Sequence, residues 1–193
     1  AMKALEEKIR REGQALPGNI LRVGSFLNQQ IDCDFMMEIG REIARLYEGC
    51  GVDRILTVEA SGIAIALAAG AAMHRPCVFA KKYRTGNVAG ETYQTTVHSF
   101  THGNDYRMVV AKEYLPAGER VLLVDDFLAN GAALEGLLEI VRQAGAQAVG
   151  AAVAIEKGFQ DGGARLRSTG IRVESLVIVE SMDEGRILFR AQD

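Results

Sequence analysis

Apolar and polar positions along the chain follow two periods, one helical and one strand-like, and the change from one to the other marks the elements. Residues 3–12 read as a short charged helix, and 18–27 as an extended or irregular arm. Asp32 or Asp34 can cap a helix over about 35–48, with Met36, Ile39, Ile43 and Leu46 on one face and Gly49 and Gly51 closing it. A strand is expected at 54–59, a small-residue helix at 62–73, and a strand at 77–80 after Pro76. Residues 84–92 are Gly-rich and polar and read as mobile. Strand-like stretches at 95–100 and 106–111 are placed to pair as a hairpin. The strongest element is ERVLLVDD at 119–126, whose unbroken apolar run suits a strand buried on both faces. A helix follows at about 132–144, then a strand at 148–156, and the end of the chain reads as strands around a turn at Gly185. Strands separated by helices predict an α/β fold with a mostly parallel central sheet flanked by helices, an antiparallel flap and a C-terminal appendage. No repeat or linker divides it, so a single domain over 1–193 is expected.

Composition narrows the class. With 193 residues, one core should bury roughly 70% of the unfolded surface. A formal net charge of -3, without a Lys/Arg block, lacks the electrostatic footprint of a nucleic-acid or anionic-membrane binder. No apolar run approaches the ~20 residues of a membrane span, and the charged start of the chain is unlike a signal peptide. Cys33, Cys50 and Cys77 cannot all pair and lack metal-ligand spacing, which fits reduced, mostly buried thiols in a cytoplasmic protein.

The candidate chemistry lies in 121–133, VLLVDDFLANGAA. An apolar strand ends in Asp125 and Asp126, a short loop holds Gly131, and a helix begins. Ligands of open α/β sheets bind at the carboxyl ends of such strands. The unpaired N–H groups of the loop and first helical turn favour an anion. A phosphate over Ala129, Asn130, Gly131, Ala132 and Ala133 would leave a sugar's vicinal hydroxyls facing the two acids. Thr57 to Gly62 repeats this strand–turn–helix logic, with Glu59, Ala60, Ser61 and Gly62 in the turn; from that segment alone, an ordinary strand–helix turn reads as well.

VLLVDDFLANGAA resembles the phosphoribosyl diphosphate (PRPP) motif of type I phosphoribosyltransferases, and the resemblance runs over about 20–160. The form FLANGAA, the arm SFLNQQI and the segment IEKGFQ are together similar to the xanthine phosphoribosyltransferases. Many relatives carry Thr in the phosphate loop; here Asn130, Ala132 and Ala133 stand instead, which leaves phosphate to backbone N–H groups and the Asn130 amide. The resemblance implies a core over about 33–160, with a hood from about 18–30 and the C-terminal segment. It implies pyrophosphate on the turn Glu59–Gly62 and on Lys81 or Lys82, frequently in a neighbouring subunit's site, hence a homodimer. It also implies Mg2+ held mainly through PRPP, with no direct protein ligand. The Gly-rich segment 85–92 then suits a lid.

For the base, the resemblance gathers Leu21, Asn28 and Lys157, with Phe159 able to cover a flat ring. Xanthine carries oxygens at C2 and C6 and loses a proton readily, which a Lys cation and an amide can answer. Without the resemblance, Lys157 reads as a solvated strand-end lysine and Asn28 as a residue leading into a helix. The reaction implied is transfer of 5-phosphoribosyl from PRPP to N9 of xanthine, with Asp125 and Asp126 as catalytic residues. The alternatives are a transferase for hypoxanthine, guanine or adenine, and a PRPP-sensing regulator without catalysis. His98 and His102 are four apart, yet their segment has strand and turn character, which speaks against a metal pair. Glu135 and Glu139 read as the solvated face of a helix.

Overall fold

The computed structural model describes residues 1–84, 86, 88–99 and 103–193. Parts of the 84–92 loop, and His102 of the histidine pair, lie outside the described residues. In chain order the elements are α1 (Lys3–Glu12), β1 (Gln14–Leu16), β2 (Ile20–Arg22), α2 (Cys33–Leu46), β3 (Arg54–Val58), α3 (Gly62–Met73), β4 (Cys77–Tyr83), β5 (Thr92–Ser99) and β6 (Asn104–Ala111). They continue as β7 (Arg120–Leu128), α4 (Ala132–Ala144), β8 (Gln147–Lys157), α5 (Gly162–Ser168), β9 (Val173–Ser181) and β10 (Leu188–Phe189).

Eight strands form one sheet in the order β10-β9-β8-β7-β3-β4-β6-β5. The five from β9 to β4 run parallel; β6, β5 and β10 add antiparallel edges. Helices flank both faces. On one, Leu5, Ile9, Ile39, Ile43 and Ile65 from α1–α3 pack with Ile55, Leu122, Val124 and Ile155 of the sheet. On the other, Leu134, Leu137, Ile140 and Val141 of α4 meet Leu56, Leu123 and Val153. This is the α/β architecture that the alternation of strand and helix periods predicts. The Asp32 side chain caps α2 by accepting the Phe35 N–H at 3.1 Å.

Three expectations are corrected. The arm over 18–27 is extended only in its first part, where β2 pairs with β1 as an antiparallel hairpin; Gly24–Asn28 form a helical turn. Its Leu21, Val23, Phe26 and Leu27 are core residues. The short helix α5 lies in a stretch to which the sequence pattern assigns no element, because its Gly162–Gly163 start hides a helical period. β7 does not end at its acids, since it stays paired with β8 as far as Leu128 and Glu156; for the same reason Lys157 closes β8 rather than following it. The cysteines are free thiols, but Cys33 is exposed and Cys50 and Cys77 are half-buried.

Candidate active site

The parallel strands bring three loops to one edge of the sheet. After β3 the chain turns through Glu59, Ala60 and Ser61 into α3, with a cis peptide between Glu59 and Ala60. Backbone and side chain both tie this turn to β4: Glu59 N–H donates to Ala80 O at 3.0 Å, and Glu59 Oε1 accepts the Lys82 N–H at 2.6 Å. A side chain at Gly62 would collide with Thr57 Oγ1, at 2.1 Å from an ideal Cβ, so β3 and α3 meet this closely only with glycine there.

Asp125 and Asp126 lie next along the edge, 7% and 8% exposed. Each carboxylate is steadied by the next backbone N–H, Asp125 Oδ1 by Asp126 and Asp126 Oδ1 by Phe127, both at 2.9 Å. Burial pushes the Asp125 carboxyl well above the usual range, the neighbouring Asp126 pushes the same way, and the Lys82 charge partly opposes them. Lys82 Nζ rests 5.0 Å from the centre of the Tyr106 ring. Burial, and then the Asp125 charge, push the Tyr106 hydroxyl up to about 12. Lys81 points the other way, as strand alternation requires, into a groove with Phe79, Tyr83 and Val109.

The third loop, Ala129–Gly131, is shaped largely by its own backbone. Gly131 takes a left-handed conformation at φ +83°, and Ala132 N–H donates to Asn130 Oδ1 at 2.9 Å. The start of α5 presses on it: Gly162 N–H donates to Ala129 O at 3.1 Å, and the Arg165 guanidinium donates to Asn130 O. Arg165 also pairs with Glu135 and Asp161, so Glu135 on its exposed face is ion-paired, as Glu139 is with Arg142. The Asn130 amide oxygen is thus committed to the loop itself.

The hairpin and helical turn before α2 fold over this edge. Asn28 Nδ2 donates to Asp126 Oδ2 at 3.3 Å, although 98 residues separate them. Lys157 Nζ donates to Asn19 O at 2.9 Å and lies 5.6 Å from the centre of the Phe127 ring. Its half-buried position lowers the ammonium pKa. Leu21 is buried in the hairpin, and Phe159 stands 36% exposed on the turn after β8. Behind Lys157, buried Glu156 accepts from Arg167 at 2.6 and 3.0 Å and from Ser175 at 2.7 Å. Burial acts to raise the Glu156 pKa, but these donors outweigh it and leave it lowered. Among the described residues, no three His, Cys, Asp or Glu side chains gather in a way that could hold a metal ion. His98 pairs with Asp105.

The structure therefore brings Asn28, Glu59–Gly62, Lys82, Asp125, Asp126, Ala129–Ala133 and Lys157 to one edge. Sequence reasoning missed Tyr106, Phe127 and Arg165. Phe127 follows the acids directly and was the most accessible to it; Tyr106 and Arg165 reach the site only through tertiary packing.

A family model for the phosphoribosyl transferase domain matches residues 31–180. The chain belongs to the phosphoribosyltransferase family. Xanthine phosphoribosyltransferase 1 of Clostridium perfringens is 49% identical over 98% of this chain and 100% of its own length. Xanthine phosphoribosyltransferase of Clostridioides difficile is 50% identical over the same shares. Among solved structures, adenine phosphoribosyltransferase of Thermoanaerobacter pseudethanolicus superposes with a TM-score of 0.71 at 22% identity, covering 90% of this chain and 99% of its own. The Trypanosoma brucei adenine enzyme reaches 0.75 at 18% identity, covering 90% and 79%. At such identities these structures speak for the fold of this phosphoribosyltransferase alone. No helix among the described residues is long and apolar enough to cross a membrane.

Proposed function

We propose that this phosphoribosyltransferase transfers the 5-phosphoribosyl group of PRPP to N9 of xanthine, giving xanthosine monophosphate and pyrophosphate. The observation that carries the reading is the Asn28–Asp126 hydrogen bond. It joins the candidate base hood to the candidate ribose acid, in a chain about half identical to proteins named for xanthine. The bond from ribose C1 to pyrophosphate breaks and the bond to N9 forms, while the base's N9 proton leaves to solvent.

The ribose passes through an oxocarbenium-like state, so positioning and charge do most of the catalysis. Asp125 and Asp126 hold the ribose hydroxyls and set negative charge near the developing cation. The 5′-phosphate is held by the backbone N–H groups of Ala129–Ala133 other than that of Ala132, which donates to Asn130 Oδ1. The Glu59–Gly62 turn and Lys82 take pyrophosphate, with Lys81 facing where a second copy could receive it. Lys157 and Asn28 answer the oxygens of the base, Leu21 packs the hood, and Phe159 covers the ring. A partly desolvated ammonium without its carbonyl partner disfavours hypoxanthine.

Mg2+ prefers oxygen ligands and retains some of its own shell, which fits an ion carried by PRPP oxygens with the paired acids near by; it would neutralise the diphosphate leaving group. We read 1–193 as one domain, with 18–30 and the C-terminal segment as its hood, working in the cytoplasm as a homodimer. In favour of the dimer, Leu67 and Phe79 are 61% and 42% exposed on α3 and β4, which pack together. The deciding experiment is pyrophosphate release from PRPP and Mg2+ with xanthine, guanine, hypoxanthine or adenine in turn. Fast release with xanthine is expected. Release only with another base would overturn the assigned base pocket, and none with any base, while PRPP still binds, would favour the regulator.

A further inference from the structure

Thr57 is the penultimate residue of β3, 1% exposed, and its hydroxyl has no hydrogen-bond partner among the described residues. A buried hydroxyl without a partner destabilises the chain that carries it, and valine, of nearly the same shape, would remove that penalty. Threonine here therefore needs a reason. The space around the hydroxyl supplies one. A Cβ built on Gly62 would lie 2.1 Å from Thr57 Oγ1 and 3.2 Å from Asp125 Oδ1. Both oxygens thus lie against the first residue of α3, where the candidate pyrophosphate turn meets the candidate ribose acid. In the free chain Asp125 Oδ1 is steadied by the Asp126 N–H, and the hydroxyl beside it is left unused.

We propose that Thr57 is a positioning residue of the PRPP site: its hydroxyl, unpaired in the free chain, donates to the Asp125 carboxylate when PRPP binds and fixes the orientation in which that acid meets the ribose. The proposal rests on reading Asp125 as the ribose acid. It involves no covalent step; one hydrogen bond forms in the complex that is absent before it. The stability of the free chain and the affinity for PRPP should then respond to Thr57 in opposite directions, which a merely structural threonine would not produce.

The test uses Thr57→Val and Thr57→Ser in the full chain. Each variant is melted without ligand and titrated with PRPP and Mg2+ by calorimetry. Thr57→Val is expected to melt at or above the wild-type temperature yet bind PRPP about tenfold more weakly, the scale of a hydrogen bond to a charged group. Thr57→Ser keeps the donor and should bind PRPP within about twofold of wild type. In turnover, the valine variant should raise KM for PRPP, while KM for the base at saturating PRPP stays put. Wild-type PRPP affinity in Thr57→Val overturns the proposal. A joint fall in melting temperature and affinity overturns it as well, since that is the mark of a packing role. If valine crowds Gly62 and the variant fails to fold, Thr57→Ala is read by the same affinity criterion. Failure of the wild type to bind PRPP would instead overturn the proposed function, so the two readings fail separately.

Discussion

The candidate phosphate loop and the candidate hood sit at the same edge of the sheet but are built in different ways. The loop Ala129–Gly131 is short and mostly local: a left-handed glycine, an Asn130–Ala132 turn bond and the first turn of α4 set its path within a few residues, and α5 braces it from outside. The hood is assembled from distant parts. Lys8 of α1 reaches Asp32 at 2.7 Å and Glu12 at 3.0 Å, with its ammonium 5.5 and 5.1 Å from the ring centres of Phe26 and Phe35. Those rings meet edge to face, and Phe26 is buried. A loop that must offer N–H groups to an anion gains from rigid backbone geometry. A cover that must admit a flat base gains from side-chain contacts that can part and close again.

The two regions meet at Asp126, so the largest effect is expected there. Asp126→Ala removes the proposed ribose contact, the acceptor of the Phe127 N–H and the acceptor of Asn28 together. Turnover should fall by at least about 10²–10³-fold with any purine, the scale of losing one preorganised charge at a reacting centre. Steady-state kinetics with several bases decide it; near wild-type rates would remove the assignment of the motif.

A smaller effect, confined to the loop, is expected from Gly162→Ala. A Cβ at Gly162 would lie 2.3 Å from Ala129 O and 2.7 Å from Gly131 N, so α5 must back away from the candidate phosphate loop. Overpacking of this kind costs about 1–3 kcal/mol of stability. KM for PRPP should rise about tenfold or more, while KM for xanthine at saturating PRPP changes little. Equal changes in both would mean that loop and hood are not separable.

The same division explains what could be read from the sequence. The span of α4, Ala132–Ala144, is predicted and observed alike, because Gly131 before it and Gly145 after it are local stop signals. The apolar run of β7 likewise announces a strand between two others, and the acids after it are visible as chemistry. The hood is not legible in this way. Gly18 and Gly24 interrupt its period, so Leu21, Val23 and Phe26 look like scattered apolar residues until α1 and α2 close around them. Lys82 and Lys81 are adjacent and alike in sequence; only the pairing of β4 with β6 decides that Lys82 lies over Tyr106. Arg165 carries no signal at all, since its contact with Asn130 spans 35 residues and begins from a helix with two glycines at its start.

The smallest effect sharpens the contrast from the hood's side. Lys8→Met keeps an apolar stem against Phe26 and Phe35 but removes the cation that bridges Asp32 and Glu12. KM for xanthine should rise a few-fold, about 2–5, in line with a partly exposed ion pair, with KM for PRPP unchanged. The pH dependence tests whether charge is the cause. Hydrogen bonds to Asp32, then to Glu12, raise the Lys8 pKa above the ordinary 10.5, so its stabilisation is complete below that value and is lost only as the pH climbs through the raised one. Lys8 lowers the carboxyls of Asp32 and Glu12 below their ordinary 3.8 and 4.5, so their stabilisation is complete above those values and is lost as the pH falls through the lowered ones. The gap in melting temperature between wild type and Lys8→Met should therefore stay level through neutral pH and narrow on acidification below the ordinary carboxyl values. Melting curves at a series of pH values read this directly. A gap that persists unchanged in acid would assign the hood's hold on α1 to the contact of the ammonium with the two rings, which acid leaves charged, and the salt bridges would then play no part in closing it.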